Sequence, residues 1–218
     1  MASNKFVSRG GDKLQAAIVH FQLSIINLII LDVGSSTGGF VDCLLQNGAA
    51  KIYSVDTAYG ELAWKLRNDS RVVVMERTNI LHLKSLPPPV ILSAAKNLSQ
   101  MRVPNKSGDP SLIVQDDNVE VGLITIDAGW TRLELVLPAV KKFLKPSGII
   151  IALLKPHYEL GKNLPKGGVL SKEISIQVKD QTIKKIEEIG FKIKKEMESP
   201  ILGGAGNLEF LLYITFSE

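Results

Sequence analysis

The sequence predicts an α/β fold, a mostly parallel sheet flanked by helices, and three observations carry that expectation. Short β-branched-rich apolar runs alternate with amphipathic stretches along almost the whole chain. Several of those runs end in a glycine, an acid or a lysine, as strands of a doubly wound sheet do where they meet a ligand crevice. The 218 residues, 45% hydrophobic and 22% charged, suit one domain able to bury a real core.

The elements follow in order. Leu14, Ala17, Ile18 and Phe21 recur at helical spacing, so a short amphipathic helix follows Gly11. Residues 28–33 read as a buried parallel strand ending in glycine, and residues 40–46 as a helix closed by Asn47-Gly48. A second strand at 51–55 ends at Asp56, and a helix at 62–67 precedes a third strand at 71–75. A fourth strand, 121–126, ends at Asp127. The helix at 133–144 is stopped by Pro146 and Gly148, before a fifth strand at 149–154 that ends at Lys155. A lysine-rich amphipathic helix spans 174–189, with Ile174, Val178, Thr182, Ile186 and Ile189 down one side. Residues 191–195 and 208–216 read as two closing strands. Residues 87–118 hold no period and are too long for an ordinary connection. We read them as an inserted, mobile loop with one short helix near 93–100, inside a single domain covering residues 1–218.

Composition removes several classes of function. A net charge of +4 and a pI of about 9.1 are a mild bias, as expected of a solvated lysine-rich surface as of a nucleic-acid binder. The single cysteine, Cys43, excludes an internal disulfide framework and a cysteine-rich zinc site. His20, His82 and His157 are scattered with no H-E-x-x-H, so no catalytic metal is expected. The first twelve residues are polar rather than signal-like, and the longest apolar run, residues 149–154, is far short of the roughly 20 residues that span a bilayer. The expectation is a cytoplasmic protein with no membrane partner.

The stretch LDVGSSTGGF, residues 31–40, carries the first functional signal. Its glycines, Gly34, Gly38 and Gly39, with Ser35, Ser36 and Thr37 between them, match a dinucleotide G-x-G-x-x-G poorly. No G-K-[ST] follows, so it is not a P-loop. The G-S-S-T-G at its centre has the letters of a serine elbow but no accompanying oxyanion motif or triad order. The better match is D-x-G-x-G-x-G with Ser36 in the central glycine's place. In Rossmann-like methyltransferases that loop wraps the amino-acid end of S-adenosylmethionine (SAM). Asp32 would then neutralise the ligand's ammonium, and Asp56 at the next strand end would accept bonds from both ribose hydroxyls.

Charged residues at the ends of apolar runs carry the second signal. Asp127 ends ITID, Lys155 ends IIIALLK, and Glu209 interrupts GNLEFLLYI. Each alone reads equally as a solvated strand terminus. Glu209 differs, because an unpaired carboxylate among apolar strand residues is costly and calls for a lysine partner. With Lys13 in SRGGDKL these make two lysines and two carboxylates.

SRGGDKL, LDVGSSTGGFVDCLLQNGA, VDTAYGELAWKLRNDSRV, ERTN, LLKPHYELGK and GNLEFLL together resemble the TlyA family, hemolysin-A-like ribosomal RNA 2′-O-methyltransferases. They are similar, more distantly, to FtsJ-type RNA 2′-O-methyltransferases. The resemblance implies a Rossmann-like SAM-dependent methyltransferase fold whose last strand is antiparallel. It implies a catalytic tetrad at Lys13, Asp127, Lys155 and Glu209, with Lys155 nearest the target 2′-hydroxyl. It implies a SAM site at Gly34, Ser35, Ser36, Thr37, Gly38, Gly39 and Phe40, with Asp32, Asp56, Thr57 and Asp127, and Glu76 to Asn79 near the adenine. Ribosomal RNA or a ribosomal subunit is the implied partner, gripped by Arg9, Lys13, Lys155, Lys162 and Lys166, with the His157 and Tyr158 rings available to stack on a base.

Three departures accompany the resemblance. Family members carry an S4-like RNA-binding domain ahead of the SRGG stretch, whereas this chain begins almost at that stretch, as a fragment or a natural short form. After Asp127 the usual V-S-F is replaced by Ala128-Gly129-Trp130-Thr131, and His157 and Tyr158 stand where glutamine and phenylalanine are usual. A SAM- or RNA-binding module without turnover is the rival reading. A base or protein methyltransferase is another, disfavoured by the lack of an N-P-P-Y-like motif or a catalytic cysteine pair. Nothing in the sequence supports membrane lysis.

Overall fold

A computed structural model describes residues 5–88, 119–160 and 168–216. Seven strands form one sheet in the order β3-β2-β1-β4-β5-β7-β6. They are β1 (Ile29–Val33), β2 (Lys51–Val55), β3 (Val72–Met75), β4 (Val121–Ile126), β5 (Leu144–Leu154), β6 (Phe191–Glu198) and β7 (Phe210–Phe216). β1 is parallel to β2 and β4, β2 to β3, and β4 to β5. β7 is inserted antiparallel between β5 and β6, so it alone runs against the rest. The expected antiparallel last strand is borne out.

Period-two alternation divides the apolar residues between the two faces. Ile30, Ile52, Leu123 and Ile151 pack with α1 (Gly10–Phe21) and α2 (Gly39–Gln46). Leu31, Val33, Ile124 and Ile126 pack with α4 (Leu133–Lys141) and α6 (Lys172–Glu188). Two single turns, α3 (Trp64–Arg67) and α5 (Pro156–Glu159), complete the helices of the described residues. The chain leaves β1 for β2 on one side and returns to β4 on the other. The crevice at a topological switch point therefore opens at the carboxyl ends of β1 and β4.

Some boundaries move for identifiable reasons. The fifth strand starts at Leu144, because Leu144 already pairs with Val121 and a register shift then absorbs Pro146 and Gly148. α4 consequently ends at Lys141 and carries Pro138 within it. β7 begins at Phe210, so Glu209 is a residue of the preceding loop rather than of the strand. In α6, Ser171 accepts the Ile174 N–H at 3.3 Å as N-cap, and Val178, Thr182 and Ile186 are buried, whereas Ile174 and Ile189 at the ends of the stripe are exposed. The expected insertion falls, from residue 89 onward, outside the described residues, as do Lys162 and Lys166. Among the described residues no helix is long and apolar enough to cross a membrane. Among them, too, no cluster of three or more histidine, cysteine or acidic side chains could hold a metal.

Candidate active site

The loop after β1 is forced into place by backbone proximity. Gly34 adopts φ +84°, and a Cβ there would lie 2.7 Å from the Asp127 carbonyl oxygen, so only glycine lets β1 and β4 close at their ends. The Asp127 N–H in turn donates to the Val33 carbonyl at 2.9 Å. Ser36, in the central glycine's place, takes the left-handed φ of +45° and spends its polar groups on the neighbouring loop. Its N–H donates to Asp56 Oδ2 at 2.7 Å and its hydroxyl to Glu61 Oε2 at 3.1 Å. The Ala58 N–H donates to Asp56 Oδ1 at 2.8 Å, which turns the carboxylate over the crevice with lone pairs to spare.

Two cavities meet at this loop. One, of about 200 Å³, is lined by Arg9, Gly10, Lys13, Ser35, Thr37 and Phe40 among others. The second, of about 380 Å³, is lined by Asp56, Glu61, Gly129, Trp130 and Lys155 among others. Gly34, Ser36 and Asp127 border both, so they form one crevice with the glycine loop at its centre.

The four expected tetrad residues form two pairs. Lys13 on α1 makes an ion pair and hydrogen bond with Glu209, which lies just ahead of β7; both side chains are less than a tenth exposed. The lysine partner that a buried Glu209 requires is thus Lys13. Gly203 makes room for this pair, since a Cβ there would lie 2.3 Å from Glu209 Oε1. Lys155 Nζ, at the end of β5, lies 2.6 Å from Asp127 Oδ1 and 3.4 Å from the Asp127 carbonyl. The contact to Oδ1 is a close charge pair without a well-directed hydrogen bond, and both side chains reach the crevice.

Other expected residues are placed differently. Asp32 is fully buried beneath the loop, paired in register with Thr125, whose hydroxyl donates to Asp32 Oδ1 at 2.6 Å. Its Oδ2 has no partner, and burial pushes its pKa up to about 7. The Asp32 carboxylate lines neither cavity and is held from the β4 side by Thr125. Glu76 accepts from the Arg67 guanidinium and, at 2.9 Å, from the Gly60 N–H; the guanidinium holds its pKa below the usual carboxylate range. It ties the β2–α3 loop to the end of β3 and lines neither cavity. Asn79 Oδ1 accepts the Leu81 N–H at 3.0 Å as cap of a short helical turn at Ile80–His82. Thr57 lines a narrow cleft with Asp56, Thr78 and Trp130.

Of the expected basic surface, Arg9 is exposed and borders the crevice, whereas Lys13 is enclosed with Glu209 and offers RNA no free charge. Tyr158 is exposed, with the half-buried His157 ring 4.3 Å away, centroid to centroid. Burial lowers the pKa of His157, which keeps the imidazole neutral at physiological pH. Sequence reasoning missed Glu61 and Glu159. Glu61 stood inside a quoted motif, but its bond to Ser36 crosses between loops and leaves no periodic signal. Gly129 has a signal of its own. A Cβ there would lie 3.6 Å from both Lys155 Nζ and the Tyr158 hydroxyl, so its absence keeps a slot open beside the lysine.

The donor set fits SAM: a glycine loop for the amino-acid end, a carboxylate at the β2 end for a ribose diol, and a lysine–carboxylate pair beside the loop. Comparisons with known proteins agree with that geometry. The chain is 39% identical over 212 residues to "Putative rRNA methyltransferase YqxC" of Bacillus subtilis, covering 96% of this chain and 66% of the relative. It is 33% identical to "16S/23S rRNA (cytidine-2'-O)-methyltransferase TlyA" of Mycobacterium tuberculosis, over 96% of this chain and 68% of the relative. The chain thus spans about two thirds of the length of these relatives. The solved structure "Putative hemolysin from Streptococcus thermophilus" superposes with a TM-score of 0.80 at 33% identity, over 99% of this chain and 69% of that one. The family profile described as FtsJ-like methyltransferase matches residues 6–216, nearly the whole chain. With the sheet order, the glycine loop and the paired lysines already in place, the conclusion is direct: the chain belongs to the FtsJ-like methyltransferase family.

Proposed function

We propose that this chain is a SAM-dependent RNA 2′-O-methyltransferase that acts on a ribose 2′-hydroxyl of ribosomal RNA, in the cytoplasm. The observation that carries the reading is the Lys155–Asp127 pair at the mouth of the glycine-loop crevice, 2.6 Å apart and open to a slot at Gly129. The rRNA methyltransferase names that the two curated relatives carry support the substrate class.

SAM would supply a methyl group on a positively charged sulfur. Gly34 to Phe40 and Asp56 would hold it, with Thr57 beside the adenosine. Lys155 Nζ orients the acceptor hydroxyl, and Asp127 fixes that amine by charge at one side, so the oxygen is presented in a single direction. SAM held there would supply its methyl group to the ribose oxygen and be left as the neutral thioether, while the hydroxyl proton would pass to solvent water. Lys13 and Glu209, held as a buried pair, fix α1 and the loop before β7 around the crevice. Arg9, Tyr158 and the slot at Gly129 form the side that faces RNA; His157 supports Tyr158 from beneath.

The test is a transfer assay with tritium-labelled SAM and purified, unmodified 30S and 50S particles. Label at an alkali-resistant ribose is the expected result, since a 2′-O-methyl group blocks alkaline cleavage. Tight binding of S-adenosylhomocysteine (SAH) with no label on either particle would favour a binding module without turnover. Label on a base would reject the ribose.

A further inference from the structure

Lys155 and Asp127 sit on different loops, and their register has to be held by something other than their own contact. The start of α4 shows what holds it. Arg132, at the N-cap, offers α4 no side-chain hydrogen bond. The orphan N–H of Leu133 is accepted instead, at 3.0 Å, by Glu159 Oε1 from the end of α5. The turn between Lys155 and Glu159 is one hydrogen-bonded unit, because the Lys155 carbonyl accepts the Tyr158 N–H at 2.9 Å and the Glu159 N–H at 3.4 Å. Asp127 is anchored at the opposite end of its loop by the Val33 carbonyl. The result is a closed circuit: Lys155 to Asp127, along residues 128–132 to Leu133, across to Glu159, and back through the turn to Lys155.

We infer that Glu159 is a positioning residue for the reaction, capping α4 from outside and thereby locking the loop of Asp127, Gly129 and Trp130 to the turn that carries Lys155. The inference rests on the function proposed above. A carboxylate suits this place, since a helix N-terminus favours negative charge and a charge-assisted bond to N–H is stronger than a neutral one. Burial opposes ionisation and pushes the Glu159 pKa up to about 7. Glu134 of α4 adds to that rise, while Arg132 and Lys185 of α6 favour the charged form. Glu134 is itself engaged by Arg132 at 2.8 Å and Lys185 at 3.7 Å. His157 shares the turn with Glu159 and is uncharged at physiological pH. As pH falls through about 7, Glu159 gains its proton, the cap weakens and the loop loosens.

The test uses the full chain with Trp64→Phe, which leaves Trp130 as the reporter of the loop, and adds Glu159→Ala or Glu159→Gln. Trp130 emission, SAH affinity and single-turnover transfer are read between about pH 6 and pH 9. Glu159→Ala is expected to slow transfer at least about tenfold and to red-shift Trp130, with SAH affinity within about threefold. Glu159→Gln keeps the acceptor oxygen. As a neutral acceptor it matches the protonated carboxyl, so it is expected to transfer across the whole range at about the rate wild type reaches below pH 7, and to lack the wild-type fall in rate through about pH 7. Wild-type rate and unshifted emission in Glu159→Ala would overturn the inference, as would an unchanged acid limb in Glu159→Gln. If wild type itself labels no RNA, the proposed function fails; Trp130 emission then still decides the cap, a shift in Glu159→Ala supporting it and no shift overturning it.

Discussion

The two lysine–carboxylate pairs are chemically alike and differently housed. Lys13 and Glu209 are enclosed at 8% and 3% side-chain exposure, hydrogen-bonded, and joined across 196 residues of chain. Lys155 and Asp127 retain 14% and 23% exposure, and no well-directed hydrogen bond satisfies Asp127 Oδ1. The first pair is satisfied and holds two elements together. The second is close in charge but open in geometry, which is the condition a group needs if it is to take up a new partner. Two like pairings thus divide into anchor and working end through burial and hydrogen-bond geometry.

The largest effect should come from the open pair. Lys155→Ala is expected to lower transfer by about 10² to 10⁴ while SAH affinity stays within about threefold, since the lysine meets the acceptor rather than the loop. The closed pair should show in stability first. Glu209→Ala leaves the Lys13 charge buried and unpaired, for a loss of about 3–5 kcal/mol and a fall in melting temperature of roughly 10 °C. Replacing both, as Lys13→Met with Glu209→Leu, is expected to restore the melting temperature and, because the pair is an anchor, to bring transfer back with it. Transfer still impaired in a restored fold would give the pair a part beyond anchoring.

A smaller effect is expected beneath the loop. Native Asp32 keeps its proton up to about pH 7, whereas the unfolded chain releases it near 3.8. The native state then binds the extra proton, so this residue makes stability fall as pH rises from about 4 to 7 and changes nothing above. Asp32→Asn should flatten that part of the stability curve, a difference of up to a few kcal/mol in denaturant unfolding at several pH values. The smallest effect should be Ser36→Gly. Relief of the left-handed backbone, worth about 1 kcal/mol, roughly offsets the lost hydroxyl bond to Glu61, so the unfolding midpoint should scarcely move.

What the sequence made legible follows from range. Buried parallel strands are apolar on both faces, so 28–33, 51–55 and 121–126 read directly, and the residues just beyond them, Gly34, Asp56 and Asp127, fall at the crevice by topology. Lys155 and Glu209 were legible as charges out of place in apolar runs, and Lys13 through the motif around it. Asp32 was read as a ligand contact because its sequence position adjoins the loop; its burial against Thr125 depends on a strand 93 residues away. Pro146 and Gly148 read as a helix stop, but the bulged pairing of Leu144 with Val121 carries the strand past them. The Glu159 cap and the Ser36–Glu61 bond cross between loops and leave no mark in local pattern.

The part played by the open pair is decided by setting Lys155→Ala beside wild type in a single-turnover transfer to 30S and 50S particles, with SAH calorimetry on both proteins. Wild type should give alkali-resistant label and the variant little or none, with matching SAH affinities. A variant that methylates ribose at the wild-type rate would contradict that role, and would place the chemistry away from the open pair.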